Sequence, residues 1–128
     1  MAYLKDKLYD LDQAVKTLEE ALAMPASTIV RDAALLRYEY TFELLWKAIK
    51  VYLFEQHQIE CISPKECFRE AFRPFNLTEQ EVELTLDMCK DRNLAVHTYN
   101  EDLATRIFKA LPRYLILTKK LHQHMSEA

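Results

Sequence analysis

The chain has 128 residues, half of them apolar and 29% charged, which fits one domain over residues 1–128 with a single core. Glycine is absent, so the glycine-rich phosphate cradles of dinucleotide sites and P-loops are excluded, and β-hairpins, whose tight turns lean on glycine, are disfavoured. A formal charge of −3 argues against a general nucleic-acid coat and leaves room only for a local basic site.

Leu4, Leu8, Leu11, Val15, Leu18 and Leu22 step by four and three, which predicts an amphipathic helix of about six turns. Pro25 ends it, and Ser27 or Thr28 can cap the next helix. That second helix is predicted to run to about His57. Leu35, Tyr38, Phe42, Leu45, Ile49 and Tyr52 form its stripe, while Leu36, Tyr40, Leu44 and Trp46 widen the apolar face enough to imply contact on more than one side. Ser63-Pro64-Lys65-Glu66 reads as a capping box with proline at the first helical position, opening a short helix that stops before Pro74. Thr78-Glu79-Gln80-Glu81 repeats the capping pattern and starts a helix through Leu86, Cys89 and Val96. Asn100 can cap the last helix, with Leu103, Ile107, Ala110, Tyr114, Leu117 and Leu121 on its inner face and a kink expected at Pro112. The fold class is therefore all-α: an up-and-down four-helix bundle with one additional short helix.

No apolar run approaches the roughly 18 residues of a membrane span, and no signal peptide opens the chain. A cytoplasmic, reducing setting without membrane attachment is expected. The three cysteines, Cys61, Cys67 and Cys89, are odd in number and show no CxxC, so they read as small packed apolar residues rather than a disulfide framework or zinc site. His122 and His124 point to opposite sides of a helix in a tail expected to fray. No metal and no cofactor are expected.

The densest chemistry is Arg92-Asn93-Leu94-Ala95-Val96-His97-Thr98-Tyr99. Arginine offers a permanently charged planar fork matched to phosphate oxygens, histidine titrates near neutrality, and tyrosine carries a hydroxyl. Asn93 and His97, four apart, share a face on which the amide could fix the imidazole tautomer. Arg92 and His97 differ by about 140° around a regular helix. A shared site then needs a helix end near His97, a wide cleft, or a second copy of the chain facing the first. Glu43 and Lys47 have the spacing of an ordinary helix ion pair, with a secondary role at the mouth of a cleft. Trp46 reads as a core or dimer contact.

The Arg-x4-His-x-Tyr pattern resembles the signature of the HEPN superfamily. Together with Phe42 to Lys47, Ser63 to Glu66, Arg69 to Phe72 and Asp91 to Asn100, it resembles the nucleotidyltransferase substrate-binding proteins, the HEPN toxins of HEPN–MNT toxin–antitoxin pairs. Two departures from the family stand out. A glycine is common near Gln58, and a tryptophan is common where this chain has Thr85.

The resemblance implies a homodimer whose cleft collects Arg92 and His97 of both copies. It also implies a metal-independent RNase activity, with His97 as general acid or base, Arg92 stabilising phosphorane charge, and Asn93 orienting His97 or binding a phosphate oxygen. The implied partner is a minimal nucleotidyltransferase that attaches AMP to Tyr99. The alternative is a non-catalytic subunit that binds substrate or nucleotide for that transferase. A third reading is a pure protein-interaction bundle in which the motif shapes a dimer interface.

Overall fold

The structure, a computed structural model, describes residues 2–97 and 100–127. Five helices follow one another: α1 (Ala2–Ala23), α2 (Thr28–His57), α3 (Pro64–Ala71), α4 (Glu79–His97) and α5 (Glu101–Ser126). Their starts obey local chemistry. Ser27 accepts the Val30 N–H, Ser63 the Glu66 N–H and Asn100 the Leu103 N–H, each satisfying an amide that the first turn leaves without a partner. Thr78 and Glu81 form a full capping box, with Glu81 Oε1 accepting the Thr78 N–H at 2.9 Å and Thr78 Oγ1 the Glu81 N–H at 3.1 Å. At α3 the box is offset: Glu66 reaches one residue further back and accepts the Ile62 N–H at 2.8 Å.

Helix α2 packs against all four other helices, and α5 packs against α1, α2 and α4. The stripes predicted from spacing meet in the centre. Leu11, Leu18, Leu45, Ile49, Ile107, Leu111 and Leu121 are almost completely buried, each leucine or isoleucine contributing about 1.5–3 kcal/mol of apolar transfer. Tyr38 stacks on Tyr114 at 5.6 Å between centroids and donates to the Met88 carbonyl at 2.8 Å. The wide face of α2 is only partly covered: Leu36 and Tyr40 are exposed. Helix α5 continues through Pro112 without interruption.

Three expectations are corrected. Cys61 and Cys67 are disulfide-bonded, leaving only Cys89 as a free thiol. Cys61 lies in the loop before α3 and Cys67 in its second turn, and the helix start folds the chain so that their Cα atoms stand 5.2 Å apart, within disulfide range. The carboxyl end of α5 is docked rather than frayed. His124 stacks on Phe75 at 4.5 Å and His122 Nε2 lies 3.0 Å from the Leu8 carbonyl oxygen. Leu35 and Leu103, placed on the buried stripes by spacing, are only partly buried. Among the described residues no helix is long and apolar enough to cross a membrane.

Candidate functional site

Helix α4 carries the site. Asp91, a buried carboxylate, turns one face of the helix inward: it accepts from the Tyr114 hydroxyl at 2.5 Å and from Arg106 Nη2 at 2.9 Å. Burial and this acceptor push the Tyr114 hydroxyl well above the ordinary phenol range. With Asp91 anchored on α5, the next residue, Arg92, points the other way, toward α2. Its Nη2 donates to Glu43 Oε2 at 2.9 Å, its Nη1 to Asn93 Oδ1 at 3.3 Å, and its Cζ lies 5.6 Å from the centre of the Phe42 ring. The Arg92 Nε is buried with no acceptor among the described residues.

Glu43 is the hub that sequence reasoning assigned only to Lys47. It receives Lys47 Nζ at 3.1 Å as expected, and Trp46 Nε1 at 3.1 Å and Arg92 as well. Burial pushes its carboxyl up, but the bonds from Trp46 and Lys47 and the charges of Lys47 and Arg92 outweigh it, so Glu43 stays below the usual carboxylate range. One turn earlier, Glu39 has no such donors among the described residues; burial holds it above that range against the pull of Arg92. Burial likewise pushes the Cys89 thiol up to about 11, against the cations Lys65 and Arg92.

Arg92 and Asn93 open onto a cleft of about 550 Å³ between α3 and α4, whose rim also carries Ser63, Lys65, Arg69 and Lys90. His97 is the last residue of α4 and is exposed. A smaller cleft of about 300 Å³, lined by Leu35, Leu36, Glu39, Ala95, Asn100 and Leu103, lies beside the α4–α5 junction. His97 lines neither. Within one chain, then, Arg92 and Asn93 come together and His97 stands apart, as the 140° offset demands. Asn93 is engaged with Arg92, and no bond joins it to His97 among the described residues. Tyr99 lies outside the described residues.

The Glu43–Arg92 contact spans 49 positions and has no signal in local spacing. Phe42 was legible as core, and it serves as the floor under the guanidinium.

The sequence profile of the family described as "Nucleotidyltransferase substrate binding protein like" matches residues 6–127. Among curated proteins nothing matches. Among solved structures, a Thermus thermophilus protein is 42% identical, covering 90% of this chain and 98% of its own, with a TM-score of 0.85. A tri-AMPylated Shewanella oneidensis HEPN toxin, solved in complex with its MNT antitoxin, is 14% identical over 98% of this chain and 97% of its own, with a TM-score of 0.75. A Haemophilus influenzae protein, described as revealing the fold of a substrate binding domain of a nucleotidyltransferase, is 19% identical over 98% of each chain, with a TM-score of 0.62. At these lower identities the likeness is one of fold: the HEPN toxin's helical bundle is the bundle found here. The profile match over nearly the whole length, on a chain with this fold, makes the protein a member of the nucleotidyltransferase substrate-binding protein family.

Proposed function

We propose that this chain is the HEPN-type toxin of a two-protein system: a metal-independent endoribonuclease that works as a cytoplasmic homodimer and is neutralised by a minimal nucleotidyltransferase. The observation that carries the reading is the setting of Arg92. Its guanidinium is fixed by Glu43, Asn93 and the Phe42 ring, faces a cleft with a cationic rim, and still has N–H donors to spare, the preorganisation that developing phosphorane charge requires. His97, freely exposed where α4 ends, can be presented across a two-fold axis to the Arg92 cleft of a second copy. Exposed Leu36 and Val96 near that end of the bundle supply apolar surface for such a contact.

In the reaction His97 takes the ribose 2′-hydroxyl proton as the 2′-oxygen bonds to phosphorus, the bond to the 5′-oxygen breaks and that oxygen leaves as a hydroxyl with a proton from water, and Arg92 holds the charge on the non-bridging oxygens. Asn93, through Arg92, positions the fork. Tyr99 is the residue to which the partner attaches AMP, closing the cleft with bulk and negative charge. Support for the partner comes from the Shewanella oneidensis toxin, which is AMPylated and bound to an MNT antitoxin.

Expression alone should degrade cellular RNA and arrest growth, and His97→Ala should abolish both. Co-expression with the partner minimal nucleotidyltransferase should restore growth and raise the intact mass by whole AMP units, an increase lost in Tyr99→Phe. Absence of toxicity, cleavage and added mass would instead favour the second reading, a non-catalytic subunit that binds substrate for the transferase. The family description favours that reading.

A further inference from the structure

The Arg92 cleft does not end at α4. A second cleft of about 440 Å³ between α4 and α5 carries Arg106, Lys109 and Arg113, and it shares Asp87 and Lys90 with the first. The two therefore join into one belt running from α3 over α4 to α5. Lys65 and Arg69 stand at one end, Lys90 and Arg92 at the middle, and the three α5 cations at the other. Seven cations face two carboxylates, Asp87 and Asp91, in a chain whose formal charge is −3. The belt is thus cationic on balance, and the rest of the molecule acidic on balance.

Carboxylate pairing is sparser on the belt than over the rest of the bundle. Elsewhere on the bundle, Lys16, Arg31, Arg37, Lys47, Lys119 and Lys120 each hold a carboxylate, while Lys5, Lys7, Lys50 and Arg73 hold none among the described residues. On the belt, Lys65, Arg69, Lys90, Lys109 and Arg113 hold none among the described residues, and Arg106 is paired with Asp91 but half exposed. Unpaired cations along a groove fit a row of phosphates. None of the exposed large apolar residues lines either cleft, so the belt lacks the aromatic and aliphatic anchors that a protein partner would use.

We propose that this belt is the track for the phosphodiester backbone of a single-stranded RNA, guiding the strand that flanks the bond presented at Arg92. The proposal rests on the RNA-handling reading above but is tested by binding, not cleavage. In full-length protein carrying His97→Ala, the probe is a fluorescein-labelled 20-nucleotide oligouridylate, titrated at several salt concentrations. Lys109→Gln/Arg113→Gln, both exposed, should weaken binding roughly tenfold at low salt. The same pair should reduce the slope of log affinity against log salt by about 1.4, at about 0.7 for each phosphate no longer neutralised. Lys5→Gln/Lys50→Gln removes the same charge elsewhere and should leave affinity and slope unchanged.

An unchanged slope in Lys109→Gln/Arg113→Gln overturns the proposal, as does an equal loss in the control pair, which would make net charge the cause. Intact RNA binding with lost association to the partner minimal nucleotidyltransferase also overturns it, because the belt would then be a protein-docking surface. If the wild type cleaves no RNA yet the α5 variant loses binding as described, the nuclease reading falls and the track stands.

Discussion

Arg92 is held in place by Glu43. A guanidinium on a free side chain samples many rotamers, and freezing it costs up to about 2 kcal/mol; here that cost is met in the folded chain, before any ligand arrives. The carboxyl of Glu43 is held below its ordinary range, so its charged form is the one the fold favours. Its stabilisation is then fully present above the ordinary carboxylate pKa of about 4.3 and is lost as pH falls through the lower folded value. Glu43→Gln should lower stability at pH 7 by about 1 kcal/mol or less, as for a partly exposed ion pair. That difference should persist to about pH 5 and fade below the carboxylate range; thermal melts of both proteins between pH 3 and 7 check it. Sequence reasoning located Arg92, Asn93 and His97 because they are neighbours in one short run. It could not find Glu43 as their support, nor Tyr114 and Arg106 as the anchors of Asp91, because those contacts depend on which helix faces which.

The elements were the most legible level. The starts of α2, α3, α4 and α5 fall where Ser27, Ser63, Thr78 and Asn100 promise them, since capping is a matter of three or four adjacent residues. The end of α2 also falls where the sequence places it, at His57, although the chain has no glycine to close a helix. Helix α2 closes on Gln58 at φ 56°, and the turn after α3 places Asn76 at φ 53°, a left-handed backbone that glycine adopts at no steric cost. Gln58 thus sits at a strained position. Gln58→Gly should stabilise the protein by about 0.5–1 kcal/mol, read as a shift in the urea midpoint without a change in slope. Asn76→Gly should gain less, because asparagine tolerates this region better. Thr85 is fully buried, with its hydroxyl donating to the Val82 carbonyl at 2.6 Å.

For the whole molecule, the division of labour follows from α2 touching every other helix. It forms the wall against which α4 sets Arg92 while α5 holds Asp91 from behind, so the site is stretched between two anchored helices. The bundle class was readable from periodicity, and the exposed Leu36 and Tyr40 are among the residues that spacing set outside the central stripe of α2. The Cys61–Cys67 bond was invisible, because cysteine number and spacing do not reveal which thiols a turn brings together. Its consequence concerns local opening. An eight-residue helix is too short to persist alone, and α3 carries Ser63, Lys65 and Arg69 on the rim of the Arg92 cleft. Tied at Cys67 to the preceding loop, α3 cannot fray turn by turn from its amino end and must lift Phe68 and Ala71 out of the core to open at all. In the oxidised protein the Phe68 and Ala71 amides should exchange hydrogen only with global unfolding. Under reductant they should exchange through a cheaper, local event, so the thiol balance of the surroundings would set how often the rim of the cleft comes loose.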